Sequence, residues 1–328
     1  MIPYLLNQLL SKNLISAEQH TAFSRYELTK PLALNWEMKV LLYFGVLFFS
    51  GGLGLLIYKN IDTFGHLSVI VLIALVTFLC FYYAYRNHPS FSIQSAAPTS
   101  AWVAYVLLLG CLTFLILEGY LQFQYQIFGT RYGLATFLPA VVFFFLAYYF
   151  DHRGVLSMAM TALISWAGVS VTPLEMLDGN DFSEQSLIYT ALALGAGLVA
   201  MGWFLDGKGI KKHFTFTYLQ FGGNLLFMAT LAGLFTLDSQ RVIFALLLAA
   251  LSYSFITYAR RGQSFWFMLI AMIYGYIGLT YLIFRLDAID DFFFAMVYFI
   301  ISCAGVIYFF LNHKKWMISN ESSLPPKE

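Results

Sequence analysis

The stretch Met38 to Tyr58, MKVLLYFGVLFFSGGLGLLIY, carries one charge, Lys39, near its start and no other. A helix rises about 1.5 Å per residue, so this stretch covers the roughly 30 Å hydrocarbon core of a bilayer. Nine further apolar runs follow at 66–85, 101–118, 132–150, 154–172, 186–205, 214–235, 241–258, 264–284 and 290–311. Strands of a membrane barrel would instead alternate apolar and polar residues over about ten positions. The sequence therefore predicts an all-α, polytopic integral membrane protein with about ten transmembrane helices. Composition agrees, because only 11% of the 328 residues are charged. Soluble domains carry about 25%, and a globule of this size could not cover itself in water with so few.

Three regions are expected. Residues 1–37 form a cytoplasmic amphipathic helical hairpin, 38–311 the ten-helix membrane domain, and 312–328 a polar, disordered cytoplasmic tail. In the first, Ile2, Leu5, Leu6, Leu9 and Leu10 recur at helical spacing, and Asn13 suits a helix end. Ser16-Ala17-Glu18-Gln19 is a capping-box pattern, with Ser16 as N-cap and Gln19 reaching back to it. Pro31 stops the second short helix. No cleavable signal peptide is visible, so the first membrane helix is expected to act as the insertion signal. Pro139 falls inside the fourth run and predicts a kink there.

The basic residues set the orientation. Assigned to alternate sides of ten helices, fourteen of the eighteen Lys and Arg fall on one side, and only Lys59, Arg131, Arg241 and Arg285 on the other. The richer side is expected to face the cytoplasm, with both termini, in a cell inner membrane. Net charge is +1, which gives no electrostatic case for a nucleic-acid partner. Cys80, Cys111 and Cys303 lie inside apolar runs with no CxxC pair, and free buried thiols are expected.

Leu14-Ile15-Ser16-Ala17-Glu18-Gln19, a Gly-rich first membrane helix (Gly45, Gly51, Gly52, Gly54) and then Asn60 occur in that order. This arrangement resembles the N-terminal region of a bacterial family of predicted polytopic membrane proteins, domain-of-unknown-function family 2157. That family has a Leu-Gly-Ile-Ser hairpin motif and a helix ending near Asn-Trp. Here Asn13 stands near the glycine position, and Ile61 follows Asn60. The resemblance covers residues 1–85 and implies no activity.

Ionisable side chains inside a membrane usually mark ion or proton pathways. The central parts of all ten runs lack them, which counts against a pump built on buried carboxylates and against an intramembrane enzyme. Glu118 ends the third run and is read as an interfacial carboxylate in water, or else as a substrate or cation ligand on the outer side. Leu121 to Phe128 alternates apolar residues with Gln122, Gln124 and Gln126. A strand there would put the three amides on one face. Arg131 closes this segment and could pair with Glu118. Asn224, mid-run after Gly222-Gly223, must find an interhelical hydrogen bond or a substrate. The small-residue clusters at Ser50–Gly54, Gly195–Gly197, Gly222-Gly223 and Gly275–Gly278 predict close helix approach, with Ser50–Gly54 buried in the bundle.

Asp151-His152-Arg153 reads as a tight turn pinned to the interface by its charges. The acidic loop 173–185 lacks a calcium-loop frame, and the six histidines show no metal-ligand spacing. No catalytic, cofactor or metal residue is expected. Two functions remain open. One is a transporter or flippase of small or lipid-linked molecules. The other is a non-catalytic membrane scaffold or sensor that docks a membrane or cytoplasmic protein through residues 1–30.

Overall fold

A computed structural model describes Ser16, Gln19 and residues 36–87, 100–129, 132–171, 185–262, 264–285 and 292–318. Among these residues the chain forms ten α-helices: α1 Trp36–Phe64, α2 His66–Asn87, α3 Ala101–Tyr125, α4 Tyr132–Phe150, α5 Arg153–Val171, α6 Gln185–Lys208, α7 Thr215–Thr236, α8 Arg241–Arg261, α9 Phe265–Phe284 and α10 Phe292–Ile318. Nine are long and apolar enough to cross a membrane, and α10 holds a further apolar stretch, Phe294–Phe309. α10 runs on to Ile318, into the stretch expected to be a disordered tail. Pro139 sits inside α4, which is assigned as one helix from Tyr132 to Phe150.

The helices pack mainly as neighbours in sequence: α2 on α3, α4 on α5, α6 on α7 and α8 on α9. Cross-links between their ends show that the helices alternate in direction. Tyr105 near the start of α3 donates to the Lys39 carbonyl near the start of α1, at 3.3 Å. His66 at the start of α2 bonds Tyr120 near the end of α3, at 2.6 Å. The turn before α5 bonds the turn before α7 through Asp151 and Lys211. These contacts are those required when every helix between them crosses once.

Small residues set the closest contacts. A Cβ built on Gly222 of α7 would lie 2.9 Å from the Gly195 carbonyl oxygen of α6, and one on Gly195 would lie 3.0 Å from that of Gly222. Backbone meets backbone there, as the sequence predicts. Gly223 and Gly278 make room instead for side chains, the Phe255 ring and Leu248. Two apolar cores result. One joins α2 to α7 around Phe143, Leu156 and Met160. The other joins α6 to α10 around Phe227, Phe255 and Phe267. The α6–α7 pair contributes to both.

α1 departs from expectation. Its glycines Gly45, Gly51, Gly52 and Gly54 have open space where a Cβ would stand. Ser50 is buried, but Gly51 and Gly52 are exposed, so this patch does not bury α1 in the bundle. Cys303 on α10 is exposed too, whereas Cys80 and Cys111 are buried.

Candidate functional site

α3 does not stop at Glu118. Polar residues end a hydropathy run, but Gln and Tyr are acceptable helix formers and the backbone bonds continue. The helix reaches Tyr125, and Gln126 caps it in the left-handed conformation at φ 45°. The strand reading of Leu121 to Phe128 is therefore wrong. Gln122 and Gln124 are helical and point to different sides, so the row of amides does not exist. Gln122 is buried, and its amide closes the following loop. It donates to the Gly129 carbonyl at 2.9 Å and accepts from the Phe128 N–H at 2.9 Å. Gln124 and Gln126 are exposed.

Glu118 is 7% exposed, not in water, and its Oε1 has no hydrogen-bond partner among the described residues. Its expected partner, Arg131, lies outside those residues. By helical spacing Glu118 shares a face of α3 with Phe114, Leu115 and Gln122. That face meets α4, where Phe114 packs edge-on against Phe143 with centroids 5.9 Å apart. Gln122 is one turn away, but its amide is already committed to the loop.

Next to this face lies a groove of about 460 Å³ between α3, α4 and α5. Leu112, Leu115, Pro139, Phe143, Met158 and Ala162 give it apolar walls. Thr136, Ser157, Thr161 and Ser165 add four hydroxyls. Thr161 and Ser165 are exposed, so the groove opens on the flank of the bundle. It lies at mid-depth, since Ala162 is the central residue of α5. α3 and α4 run antiparallel, and Glu118 stands as far from the end of α3 as Pro139 does from the start of α4. The carboxylate is therefore at the depth of Pro139, but Glu118 is not one of the residues that line the groove.

Asn224 makes the interhelical bond its position calls for. Its amide nitrogen donates to the Gln220 carbonyl at 2.7 Å, and Tyr274 of α9 donates to its Oδ1 at 3.1 Å. It does not line the groove between α3, α4 and α5. Thr77 of α2 donates to Thr113 of α3 at 3.0 Å in a similar buried link.

A second cluster escaped the sequence reading. Asp151, expected at the interface, turns inward with its side chain 7% exposed. Lys211 Nζ and His213 Nε2 each lie 2.8 Å from Asp151 Oδ1. Lys211 is 1% exposed and takes φ 40°, and Asp151 takes φ 55°. Tyr148 and Tyr218 join hydroxyls beneath it at 3.0 Å. His152 caps α5: its Nδ1 accepts the Val155 N–H at 3.1 Å. Burial lowers its pKa to about 4, against a smaller opposing pull from Asp151. No spacing in the sequence pairs residues sixty positions apart. The only signal was the density of charge in two short turns.

At the other end of the chain, Ser16 and Gln19 bond reciprocally, Gln19 N to Ser16 Oγ at 3.1 Å and Ser16 N to Gln19 Oε1 at 3.0 Å. This is the capping box read from the sequence; the rest of residues 1–35 lies outside the described residues, as does the acidic loop.

No curated protein and no solved structure matches this chain. A family model described as "Predicted membrane protein (DUF2157)" matches residues 7–156. The match takes in the capping box, α1 to α4, Glu118 and Asp151, and ends just inside α5, before Lys211. The family that residues 7–156 match is thus the one the N-terminal sequence resembles, the DUF2157 predicted membrane proteins.

Proposed function

We propose that the protein is a carrier or flippase of a lipid or lipid-linked molecule, taken laterally from the bilayer into the α3–α4–α5 groove. The groove carries this reading: it is apolar, lies at mid-depth and opens on the flank. A water-soluble substrate would meet few partners there, whereas an acyl or isoprenoid chain gains by filling it. The reading assigns no catalytic chemistry. It sets the basic end toward the cytoplasm of an inner membrane, on the strength of the Lys and Arg asymmetry.

The test is lipid movement in proteoliposomes holding the whole chain. A fluorescent phospholipid should become accessible to an external quencher several-fold faster than in protein-free vesicles. Ala162→Phe, which fills the groove, should return the rate to background. Equal rates with and without protein would refute the reading.

A scaffold or sensor role is the second reading, favoured by the bonded capping box at Ser16 and Gln19 and by the bare glycine face of α1. It predicts a partner protein that co-purifies with the whole chain and is lost when residues 1–30 are removed.

A further inference from the structure

We infer that a second groove, between α6, α7 and α8, holds a zwitterionic phospholipid of the surrounding bilayer; this does not depend on the carrier reading above. The groove measures about 230 Å³. α7 forms its floor through Leu219, and α6 and α8 form its walls. On α6 the lining runs from Ala196 to Trp203, about 10 Å along the helix axis. Most of the lining is aliphatic, and the Ser254 hydroxyl on the α8 wall donates to the Ala250 carbonyl of its own helix at 2.8 Å. An acyl chain gains by filling such a surface and leaves no donor stranded along it.

Polarity enters at one end. The helices alternate in direction, so α6 and α8 run the same way and both walls end on the same side of the bundle. The last lining residue on each wall is an aromatic with a polar edge, Trp203 five residues before the end of α6 and Tyr258 three before the end of α8. Neither the Trp203 indole N–H nor the Tyr258 hydroxyl has a hydrogen-bond partner among the described residues. Trp and Tyr take such places where hydrocarbon gives way to head groups.

One turn further on, the walls carry charges of opposite sign. Asp206 follows Trp203 by three positions and Arg261 follows Tyr258 by three, the spacing that keeps side chains on one helix face. Asp206 is near enough to Tyr258, on the opposite wall, to act on it electrostatically. Both Asp206 and Arg261 are exposed, and neither has an ion-pair partner among the described residues. The neighbouring cations on these two helices face elsewhere. Lys208 Nζ lies over the Phe204 ring, 5.9 Å from its centroid, and Arg260 stands two positions from Tyr258, on another side of α8.

An apolar groove that ends between an unpaired carboxylate and an unpaired guanidinium fits a chain whose head carries both charges. The phosphate of a phosphoethanolamine head would accept from Arg261, Trp203 and Tyr258, and its ammonium would donate to Asp206. A phosphoglycerol head brings no cation for Asp206, and a diacylglycerol brings no charge for either wall.

The experiment is native mass spectrometry of the whole chain in a maltoside detergent, titrated with phosphatidylethanolamine, phosphatidylglycerol and diacylglycerol of matched chains. The proteins are wild type, Asp206→Asn, Arg261→Gln, Ala200→Phe and Ala162→Phe. Phosphatidylethanolamine should bind wild type about threefold or more tighter than either other lipid. Asp206→Asn should shift the preference to phosphatidylglycerol, and Arg261→Gln should bring both phospholipids down toward diacylglycerol. Asp206 and Arg261 are exposed, so neither substitution disturbs packing. Ala200→Phe, which fills this groove, should remove the tight phosphatidylethanolamine. Ala162→Phe, in the other groove, should leave it bound, so failure of this site and failure of the carrier reading are told apart. Phosphatidylglycerol binding wild type as tightly as phosphatidylethanolamine would overturn the zwitterion assignment, as would an unchanged preference in Asp206→Asn or Arg261→Gln. Equal binding of all three lipids, or tight phosphatidylethanolamine that survives Ala200→Phe, would overturn the site itself.

Discussion

Lys211 is the residue whose setting is least forgiving. It is a buried cation in a left-handed backbone conformation, held against Asp151 at 2.8 Å. Removing one member of a buried ion pair leaves the other charge uncompensated, at a cost of about 3–5 kcal/mol. Lys211→Met should therefore lower detergent-solubilised thermal stability strongly, and adding Asp151→Asn to it should recover much of the loss. Two additive losses would show that the pair is not coupled. His152 predicts a pH effect of definite sign. Its pKa falls from 6.5 to about 4 on folding, because burial disfavours the imidazolium. Its contribution is complete above pH 6.5 and is lost as pH falls from 6.5 toward 4, where only the unfolded chain takes up the proton. His152→Asn keeps an N-cap acceptor without titrating. The melting temperature of this variant should fall less than that of wild type across the window.

At the scale of elements, the glycines of α7 and α1 answer differently to the same change. Gly222→Val would push a side chain into the Gly195 carbonyl of α6, a backbone atom that cannot step aside. It should separate α6 from α7 and sharply reduce the yield of folded protein. Gly52→Val on α1 meets nothing and should be tolerated. Both types of glycine look alike in sequence, which is why the burial of Ser50–Gly54 was misread. The spans themselves were legible because the bilayer sets one requirement, an apolar length, that a linear sequence displays directly. Glu118 was not legible. Its burial depends on α3 running on past the apolar run, and on Gln122 being occupied by a loop that the sequence does not pair with it. The Gln row failed for a related reason: period-two alternation over a few residues cannot outweigh a helix already propagating into them.

For the whole molecule, the α6–α7 pair matters most. Because it packs into both apolar cores, the bundle has no seam at which its two groups of helices could part independently. On the carrier reading proposed above, the motion expected is local, at the flank groove, where Pro139 costs α4 one backbone bond. Pro139→Ala restores that bond. It should raise stability and slow lipid movement in the proteoliposome assay; faster movement would argue that α4 does not need to yield.

The pairing of neighbours has a consequence for how the chain is made. As they leave the ribosome, α2, α4, α6 and α8 each find their main partner in the very next helix, so little of the bundle must wait for distant sequence. α1, with its bare glycine face, can stand alone in lipid until α2 and α3 arrive. Assembly should then advance in twos. Nascent chains halted after α3, α5, α7 or α9 should resist protease in the membrane, and those halted one helix earlier should leave a helix that is cut or slips out.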